Sequence, residues 1–229
     1  VRILLDSNLK VAICEQIGDP EQAKGLVDRK ITRIITPATY LDDETSAKNP
    51  QYMAAILAGQ DSAVLAYLEL STGEFYVREV APDRLTDELT LLWPREVVIP
   101  RSLEPREDLK AFVKGTIQAA LTVYEDWIFE YDDSARLLTE TFKLGSVKGI
   151  AFHDHPLAVG ACGAILYYLK DHFHSALEHV RAPKLFNATQ FMVLDRQAQR
   201  SLELTASLGG RKDYGTLLSI IDRTLTAMG

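Results

Sequence analysis

The acids and histidines are the side chains through which this chain could do chemistry. Glu69 sits in AVLAYLEL, an acid within an apolar stretch that reads as extended. A carboxylate so placed suits two-metal phosphodiester chemistry if several other acids converge on it within a few ångström. Asp61, Asp87, Asp132 and Asp133 are candidate second acids, yet they form no recognisable pattern with Glu69. The plainer expectation is a glutamate on the strand's outer face, in water. His153, His155, His172, His174 and His179 fall late in the chain, with His153 and His155 flanking Asp154. HExxH spacing and a cysteine pair are both missing, and Pro156 marks a loop leading into a helix, so packed or solvated histidines are expected. No phosphate loop is found. GSVKG (145–149) lacks the Walker spacing, and GDPEQAKG (18–25) puts its lysine before the second glycine. The chain also lacks a nucleophile elbow. No catalytic, cofactor-binding or metal-binding residue is assigned.

The elements that would position these groups start from Gln51–Val80. QYMAAIL, AVLAYLEL and FYVREV are apolar runs separated by the polar turns GQDS and STGE. Val64, Ala66, Leu68 and Leu70 should face one side of an extended chain, with Leu65, Tyr67 and Glu69 on the other. Gly59 and Gly73 lie in the turns, where a positive φ is expected. The connections are too short for crossover helices, so an antiparallel meander is predicted. Before it, 10–16 suits a buried strand and 26–36 a half-buried one, followed by a polar linker up to Pro50. After it, Pro82-Asp83 opens a helix carrying Leu85, Leu89 and Leu92, and Trp93-Pro94 stops it. A short strand at 96–99, a helix over 104–113 and a helix over 134–144 follow, with 116–131 ambiguous between helix and strand. The clearest helix runs 156–173, thinned by Gly160 and Gly163 so that a neighbour can approach closely. Two short extended runs within 182–194 precede helical patterns to about 208 and over 215–224. The fold class is α/β: a mixed sheet with an antiparallel meander and packed helices.

Composition bounds the function. Apolar residues make up 47 % and charged ones 25 %, an ordinary globular balance. A formal net charge of −7 makes the chain as a whole a poor partner for DNA phosphates. Two cysteines, Cys14 and Cys162, read as free thiols. No apolar run is long enough to span a bilayer, and no signal peptide is seen. Val1 and Gly229 both read as cut ends, so a piece of a longer protein is expected.

Residues 11–39, VAICEQIGDPEQAKGLVDRKITRIITPAT, closely resemble the closing part of the mismatch-binding domain of the bacterial MutS family. That family runs VAICEQ-x-GDP, then KG, then V-x-R-x-V-x-R and a TPGT-like end. Residues 194–229, with LDRQAQRSLEL and TLLSIIDRTLTAMG, are similar to the start of its core, or lever, domain. DSAVLAYLELSTGEF and GACGAILYYLKD look like its connector. Ala38, Gln199 and Ala227 depart from the usual glycine, threonine and proline, at turn or helix-start positions.

The resemblance implies a division into 1–40 (end of the mismatch-binding domain), 41–50 (linker), 51–175 (ribonuclease H-like connector) and 176–229 (start of the core). It implies a parent that binds mismatched double-stranded DNA, hydrolyses ATP with magnesium, forms a MutS homodimer and recruits MutL in the bacterial cytoplasm. The wedge and ATPase modules of that parent are not among these residues, and the connector implied here is non-catalytic, with no cofactor. It couples modules and docks MutL, for which Ser134, Arg136, Leu137 and Leu138 are the candidate surface. Two alternatives stay open. One is a ribonuclease H-type nuclease using Glu69; the other is a stand-alone DNA-binding module using Lys24, Arg29, Lys30 and Arg33. The fragment itself is expected to be monomeric.

Overall fold

The computed structural model describes residues 1–16, 29–38, 51–59, 61–172, 178–186, 194, 198, 201–204, 207–208 and 215–224. Two sheets organise them. The smaller is a hairpin of β1 (Val11–Gln16) and β2 (Arg29–Ile35). The larger has six strands in the order β7-β6-β3-β4-β5-β8. Its members are β3 (Tyr52–Ala58), β4 (Ala63–Glu69), β5 (Glu74–Val80), β6 (Glu96–Pro100), β7 (Ala120–Tyr124) and β8 (Lys184–Leu185). β3, β4 and β5 pair antiparallel, Tyr52 opposite Glu69 and Ala63 opposite Val80, which is the meander that the short turns require. β6 and β7 then add parallel to β3 on one side, and β8 adds parallel to β5 on the other. This is the mixed α/β sheet with an antiparallel meander that the sequence predicts.

The alternation in AVLAYLEL explains why both faces of that sheet are covered. Every residue of β4 is buried. Val64, Ala66 and Leu68 enter one core with Val159, Ile165 and Leu169 of α5 (Pro156–His172) and Leu138 of α4 (Tyr131–Thr141). Leu65 and Tyr67 enter a second core with Leu85 and Leu89 of α2 (Leu85–Leu92) and with Leu109 of α3 (Glu107–Ala111). A strand with apolar side chains at both parities can only sit between two layers. The glycines of α5 give the close approach anticipated for them. A Cβ on Gly160 would lie 2.2 Å from the Phe129 carbonyl oxygen, and one on Gly163 2.2 Å from Ser134 Oγ.

Several expectations change. β1 is no buried strand, since Ala12, Cys14 and Glu15 are exposed. Gly73 has the positive φ of +70° that its turn needs, whereas Gly59 is not in that region. The helix predicted over 104–113 starts later, at Glu107, and passes into a π-helical stretch, Phe112–Ile117, that ends at Gln118 with φ 58°. The ambiguous 116–131 region resolves into β7 and a 3₁₀ turn, Asp126–Phe129. α4 begins three residues before Ser134, so Asp132 and Asp133 lie inside its first turn, where the helix dipole favours them. Trp93 leaves α2 as the following proline requires, in a left-handed conformation (φ 48°). The 195–208 helical pattern falls largely outside the described residues, and the last one reduces to α6 (Leu217–Ile221), capped by Thr216.

The open end of the hairpin rests on the larger domain. Val11 pairs with Ile35, so Lys10 and Thr36 lie side by side as the strands leave the pairing. Thr36 and Ala38 are fully buried, and Ala38 joins the first core. After α1 (Arg2–Asp6), Asn8 Nδ2 donates to the Gln118 carbonyl at 2.9 Å.

Candidate functional site

Glu69 is the residue on which catalysis would have turned, and its place differs from the one expected. It is 3 % exposed, and so not on an outer face in water. It ends β4, and its carboxylate closes the turn that follows. The Ser71 hydroxyl lies 2.7 and 2.9 Å from its two oxygens, Thr72 N–H donates at 2.6 Å and Gln51 N–H at 3.3 Å. Burial alone would push this carboxyl up, but those donors outweigh it and hold the group below the usual carboxylate range. The other acids do not gather there. Asp61 lies in the β3–β4 turn at the opposite end of the strand pair, Asp87 is exposed on α2, Asp132 is exposed on α4, and Asp133 pairs with Arg136. Among the described residues no group of three or more His, Cys, Asp or Glu side chains could hold a metal ion. In this geometry Glu69 is a turn staple.

The histidines are dispersed. His179 Nε2 meets the Leu70 carbonyl at 2.7 Å, His153 Nδ1 lies 3.1 Å from the Ile150 carbonyl, and His155 is exposed. His172 is buried, while His174 lies outside the described residues. Cys14 and Cys162 are both free thiols, and burial pushes the latter's pKa well up.

The proposed partner-binding residues divide sharply. Leu138 is 0 % exposed and belongs to the first core, and Ser134, at 1 %, is wedged against Gly163 with its hydroxyl donating to the Ile128 carbonyl at 3.3 Å. Helical periodicity explains the correction: 134 and 138 lie one turn apart on the face that α5 covers. Arg136 is exposed, and Leu137 is half-buried at the edge of that core. These two, with Asp133 and Glu140, line a groove of about 210 Å³ completed by Trp127 and Tyr167, and the buried Ser134 also borders it, so of the four residues Leu138 alone has no part in it. Trp127 is 48 % exposed and meets Tyr167 edge-on at 5.5 Å. Tyr167 in turn meets Tyr124 edge-on at 5.6 Å. An exposed, braced tryptophan beside an arginine is the composition of an interface anchor. Sequence reasoning alone misses both aromatics; the signal it offers is a Trp set between Asp126 and Glu130 in a stretch of ambiguous structure.

Of the proposed DNA-proximal residues, Arg29, Lys30 and Arg33 lie on β2. Arg29 and Lys30 are exposed, at the end of the hairpin farther from the larger domain, and Lys30 is opposite Glu15. The register shifts by one residue between Ile31 and Arg33, which breaks the even alternation of cations along the strand. The side chain of Arg33 and the whole of Lys24 lie outside the described residues.

The family model for MutS domain II matches residues 51–181, which hold β3 to β7, five of the six strands of the larger sheet, with the helices packed on them. The chain belongs to the MutS family. The model for MutS domain I also matches, over residues 1–44. Among relatives, the DNA mismatch repair protein MutS of Halothermothrix orenii is 39 % identical over 230 residues, 99 % of this chain and 25 % of that protein. Its namesakes from Solibacter usitatus and Symbiobacterium thermophilum are 38 % and 39 % identical, each over 99 % of this chain and 26 % of their own length. The chain thus spans about a quarter of the curated relatives it matches. Among the described residues no helix is long and apolar enough to cross a membrane.

Proposed function

We propose that this chain is the part of a MutS mismatch repair protein that joins the mismatch-binding domain to the rest of the molecule and presents a docking face for MutL. The observation that carries the reading is the groove beside α4, where Arg136 and Leu137 of a helix locked to the core by Ser134 and Leu138 stand exposed or half-exposed next to the exposed Trp127 of the preceding 3₁₀ turn. A rigid helix offering a cation beside an aromatic anchor is suited to a protein partner. The role is non-catalytic. The parent would bind mismatched double-stranded DNA as a homodimer in the bacterial cytoplasm and use ATP and magnesium in an ATPase module, while these residues hold no cofactor. Residues 176–229 would begin its core domain. Direct DNA binding by this piece is disfavoured by its net charge of −7 and by Glu15 lying opposite Lys30.

Titration calorimetry against the N-terminal region of the cognate MutL tests the docking role. Saturable binding that Arg136→Glu, Leu137→Glu or Trp127→Ala each weakens about tenfold or more is expected, in the range of an interface anchor. Parental affinity in all three folded variants refutes the placement.

A further inference from the structure

The seam between hairpin and sheet holds a buried charge that the docking role does not use. Glu96, the first residue of β6, is 0 % exposed. Its Oε1 accepts from the Tyr168 hydroxyl at 2.5 Å and the Thr122 hydroxyl at 2.8 Å. Its Oε2 is buried and has no hydrogen-bond partner among the described residues. The cation beside it comes from across the seam: Lys10 Nζ lies 3.4 Å from Oε1 and 4.9 Å from the centre of the Tyr168 ring. On Tyr168 stacks the His172 imidazole, 4.2 Å away and tilted by 12°. Thr36, across the strand pair from Lys10, hydrogen-bonds the Tyr168 side chain. Tyr168 remains a donor at any physiological pH, because burial and then the Glu96 carboxylate push its hydroxyl far up.

We propose that Lys10 and Glu96 form an interdomain latch, in which the ammonium of the mismatch-binding hairpin compensates a carboxylate buried in the connector sheet and thereby fixes how the hairpin docks. The physical ground is an asymmetry. A buried carboxylate with an orphan oxygen is tolerated while a cation stands beside it and becomes a large penalty once that cation withdraws. Swinging the hairpin away removes Lys10 and Thr36 together, because the Val11–Ile35 pairing holds them side by side. The closed seam is therefore favoured by a contact that no partial opening can keep. The latch stands on this geometry alone; only its use in relaying mismatch recognition rests on the coupling role proposed above.

His172 supplies an independent reporter. Burial first, and then the Lys10 ammonium, lower its pKa, against Asp171 on its own helix and Glu96 on β6, which raise it; Tyr124 of β7 lies 3.4 Å away. The test is a double-mutant cycle of Lys10→Met and Glu96→Gln in this chain, read by amide hydrogen exchange at Val11–Ile13 and Ile35, with Leu65–Leu68 of β4 as control. Each single variant should speed exchange at the seam about tenfold and leave β4 within about twofold, and the double variant should go no further than either single. Multiplying effects, or seam exchange unchanged by Lys10→Met, overturn the latch. Should Glu96→Gln unfold, Lys10→Arg must restore the protection that Lys10→Met loses, and failure to do so also overturns it. The His172 titration midpoint, followed by NMR, rises in Lys10→Met; a rise without faster seam exchange marks a purely local electrostatic effect and refutes the latch.

Discussion

Replacing Glu69 with glutamine separates the two roles open to that residue. The carboxylate receives the Ser71 hydroxyl and the Thr72 and Gln51 N–H groups, at 2.6 to 3.3 Å. Glutamine keeps the shape but offers one accepting oxygen and turns an amide NH₂ toward at least one donor. A hydrogen bond to a charged group contributes about 1.5–3 kcal/mol, and a donor left unsatisfied costs about 1–3 kcal/mol. Ser71 and Thr72 are only partly buried, so water recovers some of this, and the net loss should be about 2 kcal/mol. For a chain of this size that lowers Tm by roughly 4–8 °C. The pH dependence follows from the direction of the shift. The folded carboxyl lies below the usual carboxylate range, so its contribution is complete above that range and is lost as pH falls through the folded pKa. The gap between parent and Glu69→Gln, measured by thermal unfolding monitored by circular dichroism, should be widest near neutrality and close on acidification below about pH 4. A variant as stable as the parent at pH 7, or a gap that persists undiminished in acid, refutes the staple. Magnesium-dependent nuclease activity lost in Glu69→Gln at unchanged Tm would instead restore catalysis to that residue.

Two further pairs of substitutions test the packing. Leu138→Ala should cost about 2–5 kcal/mol in urea unfolding, because the side chain is fully buried, whereas Leu137→Ala should cost about 1 kcal/mol or less. Similar costs at both positions would contradict the assigned face. Gly160→Ala should destabilise despite the better helix propensity of alanine, since its Cβ meets the Phe129 carbonyl oxygen at 2.2 Å. The same change at Gly115, where nothing lies within 4 Å of the Cβ position, should not destabilise, and urea midpoints compare the two.

What the sequence makes legible here is the part governed by local periodicity. The meander follows from alternation in 51–80, and the two cores follow from Val64, Ala66 and Leu68 having the opposite parity to Leu65 and Tyr67. The family resemblance is equally readable, because VAICEQ-x-GDP and the LDRQAQRSLEL stretch are long. The site is less so. Leu137 and Leu138 are alike in type and adjacent, and only the helix phase set by α5 puts one in the groove and the other in the core. A strand pattern carries no information on the turn donors that fold back over Glu69, so the sequence alone leaves that acid in water. Lys10 and Glu96 are 86 positions apart, and nothing local to either one announces the other.

The order of the strands also decides how a pull on this piece would be borne. The chain from the hairpin reaches the six-stranded sheet at β3, which is held on both sides, by seven register pairs to β4 and by three to β6. Tension arriving there must shear several hydrogen bonds at once. On the far side the chain passes through β8, an edge strand of two exposed residues joined to β5 by two register pairs. Tension on residues beyond it meets those few bonds first and peels them in sequence. The domain is thus a stiff anchor toward the hairpin and a tear-off strip toward the other side, so a force applied across it would lengthen the outgoing tether before it disturbed the sheet.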